Sequence, residues 1–347
     1  VAANFLIREW KKNGVNISIF YTPSFLKSFT FSEVFKGTLN VIFNKLNYNA
    51  ASPDILVSFD PYPIDVITII RLSKKLNVPC TVYFHHITPD IRFYAFRRGL
   101  FRVILNRLYF RFMIKIIQHY KIPIFLDNPN TGKGLKVKVY PNLLALGKIR
   151  NISNASDKKY DVSYVGRLEN HKGVEDIIDV INILKKKYGI NVKAILVGPG
   201  NEKYVKKLNI KIKKYGLQGN IIFTGFVKEE EKWRILSESK VFLFLSYEEG
   251  WAISVMEAAS MGLPIVAYDL PAYYYLKDNF FKVNPGDTKA AAEKIAYILN
   301  NYKEALAIGD KAKEVVDKFD QEFIAKQQLI FYKRIIEDYN GYKIEKG

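Results

Sequence analysis

Residues 241–268, VFLFLSYEEGWAISVMEAASMGLPIVAY, carry the reading that decides the fold. Residues 241–246 (VFLFLS) form a short apolar, aromatic-rich run, the pattern of a strand covered on both faces in a parallel sheet. The stretch after Gly250 reads as a helix that stops near Met261 and Gly262, where glycine lets the chain turn left-handed. Residues 263–268 (LPIVAY) return to a strand. The whole is a β-α-β unit, and residues 249–257 (EGWAISVME) stand at the carboxyl end of its first strand, where open α/β sheets bind ligands.

A helix start offers unpaired N–H groups and the positive end of a dipole, which suits a diphosphate, and Gly250 lets the backbone come close. Glu249 and Glu257 are eight positions apart, about 12 Å along a helix. That length would allow Glu249 to sit by a donor sugar and Glu257 by a ribose, with a diphosphate between them, each carboxylate accepting from hydroxyls. Glutamate pairs at this spacing are common on solvated helix faces, so this one takes its meaning from its surroundings.

Outward from this unit the alternation continues. Strands are expected at 160–165, 192–197, 220–224, 241–245 and 263–268, and the helix ends Lys186-Lys187-Tyr188-Gly189 and Lys213-Lys214-Tyr215-Gly216 place cations and a glycine where helices stop. Before residue 142 a helix through Lys12 and strands at 15–21, 54–59, 80–85, 123–126 and 136–140 give the same α/β pattern. Residues 147–159 (GKIRNISNASDKK) read as a linker. The expected domains are 1–155, 156–320 and a C-terminal helix at 321–347 that crosses back to the first domain. From Asp287 the chain is expected to be helical throughout, with Phe323, Ile324, Leu329, Ile330, Ile335 and Ile336 as an apolar stripe.

Length favours two cores, and the lone Cys80, inside an apolar run, excludes an internal disulfide framework and reads as a buried thiol. No apolar run is long enough to span a membrane and no signal-peptide pattern opens the chain. The net charge of +19 implies affinity for something anionic, with phosphates, acidic lipid headgroups and nucleic acid all admissible; the alternative is lysine-rich solvated helix faces. The acceptor triplets at Asn151 and Asn154 are the kind that arise by chance.

Three further strand-to-helix turns carry the same chemistry. Val165-Gly166-Arg167-Leu168-Glu169-Asn170-His171-Lys172-Gly173 puts two cations at the end of a strand, with a helix beginning near Val174. Val197-Gly198-Pro199-Gly200 and Phe223-Thr224-Gly225-Phe226-Val227 end strands in glycine turns. With these motifs in order over most of residues 160–270, the chain resembles the retaining glycosyltransferases of family 4, which have the GT-B architecture: two Rossmann-like, doubly wound domains facing each other across a cleft, with C-terminal helices packing back toward the first domain.

The resemblance implies that Arg167 and Lys172 hold the donor diphosphate beside Gly166 and neutralise charge on the leaving nucleotide. It implies Glu249 at the donor sugar, Glu257 at the ribose, main-chain groups of Gly250, Trp251, Ala252 and Ile253 at the phosphates, and those of Phe226 and Val227 at the base. The family often has a second glycine where this chain has Ala252. Tyr83-Phe84-His85-His86-Ile87-Thr88-Pro89 resembles the family's histidine segment, with His85 near sugar and acceptor. The sequence contains no Asp-x-Asp, so metal-independent transfer, with no cofactor beyond the nucleotide sugar, is expected. The family's first strand and glycine-rich loop are not found in a chain that begins at Val1, which suggests a fragment or a trimmed reading frame.

Residues 90–118 set Arg92, Arg97, Arg98, Arg102, Arg107, Arg111 and Lys115 against Asp90, interleaved with aromatic residues. Arg107, Arg111 and Lys115 share one helix face. This segment is expected to dock on an anionic membrane, arginines at the headgroups and aromatics below, placing the protein in the cytoplasm or on the cytoplasmic face of the membrane. The alternative is a buried helix whose arginines snorkel.

The expected function is thus transfer of a sugar from a UDP- or GDP-sugar to an acceptor hydroxyl on a lipid-linked or membrane-associated glycan. Standing beside it are a nucleotide-sugar epimerase of the same fold and a noncatalytic nucleotide-sugar or membrane-binding module. A nucleic-acid partner rests on charge alone, with no recognition module, and is not expected.

Overall fold

The computed structural model describes residues 53–59, 63–84, 100–142, 155, 157–319 and 321–344, which fall into two units, each built on a parallel sheet. The helix expected through Lys12, the strand at 15–21 and most of the 147–159 linker lie outside the described residues.

In the first unit, strands β1 (Leu56–Ser58), β2 (Cys80–Phe84), β3 (Ile124–Leu126) and β4 (Val139–Pro141) pair side by side in that order. Helix α1 (Pro63–Leu76) follows β1 and helix α2 (Leu100–His119) precedes β3. Successive strand side chains point to opposite faces. Val82, Phe84, Ile124 and Leu126 pack with Val66 and Ile70 of α1 and Met113 and Ile117 of α2. Phe125 and Tyr140 instead meet Phe331 and Tyr332 of the last helix, Gln321–Ile344, labelled α9 in chain order. With both faces covered, the strands are apolar at most positions, and the buried Thr81 of β2 donates its hydroxyl to the Pro123 carbonyl at 2.8 Å. Cys80 lies in the helix-facing core, and burial pushes its thiol up to about 11.

Helix α9 buries Ile324, Ala325, Gln328, Tyr332 and Ile335, whereas Phe323 and Ile330 of the expected stripe are exposed. The reason is that Ile324, Gln328, Tyr332 and Ile335 stack at helical spacing toward the sheet, and this face admits polar atoms where the sheet answers them. Tyr332 and Tyr83 join hydroxyl to hydroxyl at 2.6 Å in the core, and burial holds both above the usual tyrosine range.

The second unit runs β5 (Tyr160–Val165), α3 (Val174–Tyr188), β6 (Ala194–Val197), α4 (Glu202–Tyr215), β7 (Ile221–Gly225), α5 (Glu229–Ser237), β8 (Ser239–Phe244), α6 (Ile253–Ser260), β9 (Ile265–Tyr268), β10 (Phe281–Val283), α7 (Thr288–Asn300) and α8 (Tyr302–Val316). The sheet order is β10-β9-β8-β5-β6-β7. The chain starts in the middle, winds outward through β6 and β7, then returns to lay β8 beside β5 and winds the other way. Strand β10 was not expected; it is three residues long, at the sheet edge, with Lys282 exposed, and too short to stand out as a run. Gly189 and Gly216 take the left-handed positions (φ 68° and 66°) that end α3 and α4, as their sequence pattern implies. The segment after Asp287 is helical but broken, because Asn301 both ends α7 and starts α8.

Replacing Tyr332 with phenylalanine removes the partner of the buried Tyr83 hydroxyl and is expected to cost about 1–3 kcal/mol. Urea unfolding measures this; an unchanged midpoint would show that the hydroxyl pair contributes nothing to the packing of α9.

Candidate active site

The winding reverses between β5 and β8, and the loops leaving their carboxyl ends part company there, the arrangement that opens a crevice in doubly wound sheets. The first loop, residues 166–173, ends in a tight turn at Asn170–Lys172 and in Gly173. The second comprises residues 245–252. Main-chain contacts pin the two together. Tyr247 N–H donates to the His171 carbonyl at 2.9 Å. A Cβ on Gly173 (φ 66°) would lie 1.8 Å from the Leu245 carbonyl oxygen, so only glycine admits this approach. Asp176, buried in the first turn of α3, accepts from the hydroxyls of Tyr247 at 2.5 Å and Tyr268 at 2.6 Å, tying the second loop to both α3 and the core of β9.

Across this seam Lys172 Nζ donates to Glu249 Oε1 at 2.6 Å, with the two side chains only 15% and 9% exposed. Removing one partner of a pair so withdrawn from water costs about 3–5 kcal/mol. An ammonium has three donors and a carboxylate two oxygens, so each partner keeps capacity for a ligand. Burial, reinforced by the Glu249 charge, holds the hydroxyls of Tyr164, Tyr273 and Tyr275 well above their usual range. Tyr164 donates to the Arg167 carbonyl at 2.9 Å and Tyr275 to the Trp251 carbonyl at 3.2 Å. The Trp251 indole is buried, stacked on Tyr275 with centroids 5.0 Å apart. Its side chain therefore serves the core.

Helix α6 begins at Ile253, later than expected, because Ala252 is left-handed (φ 52°, ψ 66°) and cannot continue a right-handed helix. Glu249 and Gly250 thus precede the helix, and Glu249 and Glu257 are not joined by a continuous helical rise. Alanine takes here, at a cost of about 1 kcal/mol, the conformation that glycine adopts freely. The helix stops as expected, with Gly262 (φ 67°) donating to the Ala259 carbonyl at 2.8 Å and Leu263 to that of Ala258 at 3.2 Å.

Arg167 lies at the rim, 63% exposed and bonded to Glu169 at 2.6 Å, with His171 Nδ1 3.3 Å from the other Glu169 oxygen. The turns after β5, β6 and β7 are laced into one rim: Gly166 N–H donates to Val197, Leu168 to Pro199 and Gly198 to Gly225, at 2.8 to 2.9 Å. Phe226, just past Gly225, is 80% exposed, and Val227 packs inward against Ile195, Val197 and Ile235. Glu257, in the second turn of α6, bonds Lys232 of α5 at 2.6 Å. Burial raises its carboxyl despite that lysine. His85 lies outside the described residues.

The fold therefore gathers Gly166, Arg167, Lys172, Glu249 and Gly250 at the switch point, and gives Glu257 a partner of its own. Sequence reasoning missed Lys232, Asp176 and Tyr247. Lys232 closes a charge run, residues 228–232 (KEEEK), that reads as a solvated face; its one signal is that its helix, like α3 and α6, starts at the carboxyl end of a strand.

Two parallel-sheet units, the second doubly wound with its charged loops at the switch point, place the chain in the GT-B class. Residues 147–315, just under half of the chain, match the model of the family described as Glycosyl transferases group 1. An uncharacterized glycosyltransferase of Methanocaldococcus jannaschii, MJ1059, is 27% identical over 231 residues, 62% of this chain and 56% of the relative. The N,N'-diacetylbacillosaminyl-diphospho-undecaprenol alpha-1,3-N-acetylgalactosaminyltransferase of Campylobacter jejuni is 28% identical over 185 residues, 52% of this chain and 46% of the relative. The chain spans about half the length of these curated relatives. Among solved structures, Anabaena HepE in complex with UDP and glucose superposes with a TM-score of 0.63 at 18% identity, over 94% of this chain and 89% of that one.

The pinch at Gly173 makes a specific demand. Gly173→Ala is expected to destabilise the second unit by about 3 kcal/mol or more. Gly189→Ala, equally left-handed but with nothing within 4 Å of its Cβ, should cost about 1 kcal/mol. Equal losses in thermal unfolding would show that the Leu245 contact relaxes freely.

Proposed function

We propose that this chain is a retaining glycosyltransferase that moves a sugar from a UDP- or GDP-sugar to an acceptor hydroxyl without a metal. The observation that carries this is the Lys172–Glu249 pair, buried across the switch point. Its two members have the chemistry the two halves of a nucleotide sugar require. The Lys172 ammonium, with Arg167 at the rim, meets a diphosphate and stabilises charge as the nucleotide departs. The Glu249 carboxylate accepts from sugar hydroxyls. Paired with each other, each keeps hydrogen-bonding capacity for its half of the donor. Arg167 and Lys172 supply positive charge of the kind a metal carries elsewhere. Glu257 receives the ribose, and the exposed Phe226 borders the base. The match of residues 147–315 to the model of the group 1 family supports this reading.

The acceptor is a lipid-linked or membrane-associated glycan, and α2 supplies the contact with the membrane. Ile104, Leu108 and Phe112 are exposed on α2, and Arg107, Arg111 and Lys115 are exposed alongside them, while Met113 and Ile117 fill the core. Apolar residues flanked by cations suit the boundary between headgroups and acyl chains. No helix among the described residues is long and apolar enough to cross a membrane. A relative acting on a diphospho-undecaprenol substrate supports a lipid-linked acceptor.

A panel of UDP- and GDP-sugars in a thermal-shift assay tests the donor. A ligand at 100 times its dissociation constant adds about 2.7 kcal/mol, and Glu257→Ala should weaken the response with the circular dichroism spectrum unchanged. Silence toward every donor would overturn the assignment.

Vesicle sedimentation tests the membrane contact. Reversing Arg107, Arg111 and Lys115 to glutamate should abolish binding to phosphatidylglycerol vesicles, since each basic residue near an anionic surface contributes about 1 kcal/mol. Equal binding by parent and variant would remove α2 from the contact.

A further inference from the structure

Glu257 does not stand alone: Lys232, in the first turn of the neighbouring helix α5, places its Nζ 2.6 Å from Glu257 Oε1 and 2.7 Å from Glu229 Oε1, with its side chain 13% exposed. Glu229 Oε1 also accepts from the Trp233 indole N–H at 3.0 Å, and the Lys232 ammonium lies 5.0 Å from the Trp233 ring centroid. Two carboxylates and an indole thus fix a side chain that is ordinarily among the most mobile on a protein surface.

Helix stability does not explain this lysine. A cation in the first turn meets the positive end of the helix dipole, where carboxylates are favoured. What it does explain is Glu257. Burial and the Glu229 charge both favour a neutral carboxyl there, and among the described residues Lys232 is the cation that opposes them. A protonated carboxyl would offer a donor where ribose hydroxyls also offer donors, whereas a carboxylate only accepts.

We propose that Lys232 is a positioning residue of the nucleotide site: it holds Glu257 Oε1 and supplies its counter-charge, so that the other oxygen accepts a ribose hydroxyl. This rests on the reading of Glu257 as the ribose contact. Lys232 touches no ligand; it acts through Glu257.

The test uses the full chain, titrated with UDP and with GDP by calorimetry from about pH 5.5 to about pH 8, comparing Lys232→Met, Lys232→Arg and Glu257→Ala with the parent. The readout is each variant's affinity relative to the parent, in which the titration of the phosphate cancels. Lys232→Met should bind about tenfold more weakly. Its deficit should grow as the pH falls, because a carboxyl without its counter-charge protonates at higher pH. Lys232→Arg should restore most of the affinity. A deficit that is absent, or that stays the same at every pH while Glu257→Ala weakens binding, would overturn the role of Lys232 alone. Parent-like binding by Glu257→Ala would instead sink the ribose assignment, and the proposal with it.

Discussion

Everything at the candidate site depends on how closely the loop after β8 can approach the loop after β5. Sheet order makes these two strands neighbours while sending their helices in opposite directions, so the loops would part were nothing to hold them. Gly173 removes the one side chain that would stand in the Leu245 carbonyl's way. The backbone bond from Tyr247 to His171 and the Asp176 clamp then close the seam. Only with the seam closed do Lys172 and Glu249, far apart in sequence, meet at 2.6 Å. A topological rule about where ligands bind becomes, in this chain, a set of named contacts.

The two lysine–glutamate pairs are poor candidates for stabilising devices. Taking both charges from water costs several kcal/mol per ion before their attraction returns any of it, and apolar residues of similar size would stabilise as well or better. Lys172–Glu249 and Lys232–Glu257 are nonetheless both largely buried. Their shared position, one group on a strand-to-helix loop or first turn and the other on a neighbouring element, is intelligible if each pair keeps a charge ready for a ligand. Asp176 is the contrasting case. It carries a buried carboxylate answered by two tyrosine hydroxyls, and its task is to hold a loop.

How much of this was legible in the sequence follows from where each signal resides. Buried parallel strands write themselves as apolar runs, so β5 to β9 are found within a residue or two. Helix ends closed by glycine, at Gly189, Gly216 and Gly262, are equally readable because few other residues take that conformation. Ala252 breaks the rule: a residue with good helix propensity is held left-handed by its surroundings, and the start of α6 moves with it. The buried face of α9 is misread for a related reason, since Tyr332 belongs to the core only because Tyr83 answers its hydroxyl from the sheet. The turns that carry Lys172 and Glu249 are legible in the sequence, but the contact of the two side chains, like that of Lys232 with Glu257, depends on tertiary distance, which spacing along the chain does not encode.

The excess of positive charge is spread unevenly in its work. At the switch point and beside Glu257, lysines are sheltered and each is matched to a carboxylate, so they add little to the field at a distance. The exposed cations do the opposite. Arg107, Arg111 and Lys115 on α2, and the lysine-rich ends of α3 and α4, face solvent, where they raise the potential around the molecule and draw anions of any kind toward it. Attraction of that sort is indifferent to structure and weakens with salt. Discrimination among anions must come from sheltered charges whose geometry the fold has set, and the overall charge of +19 by itself selects none.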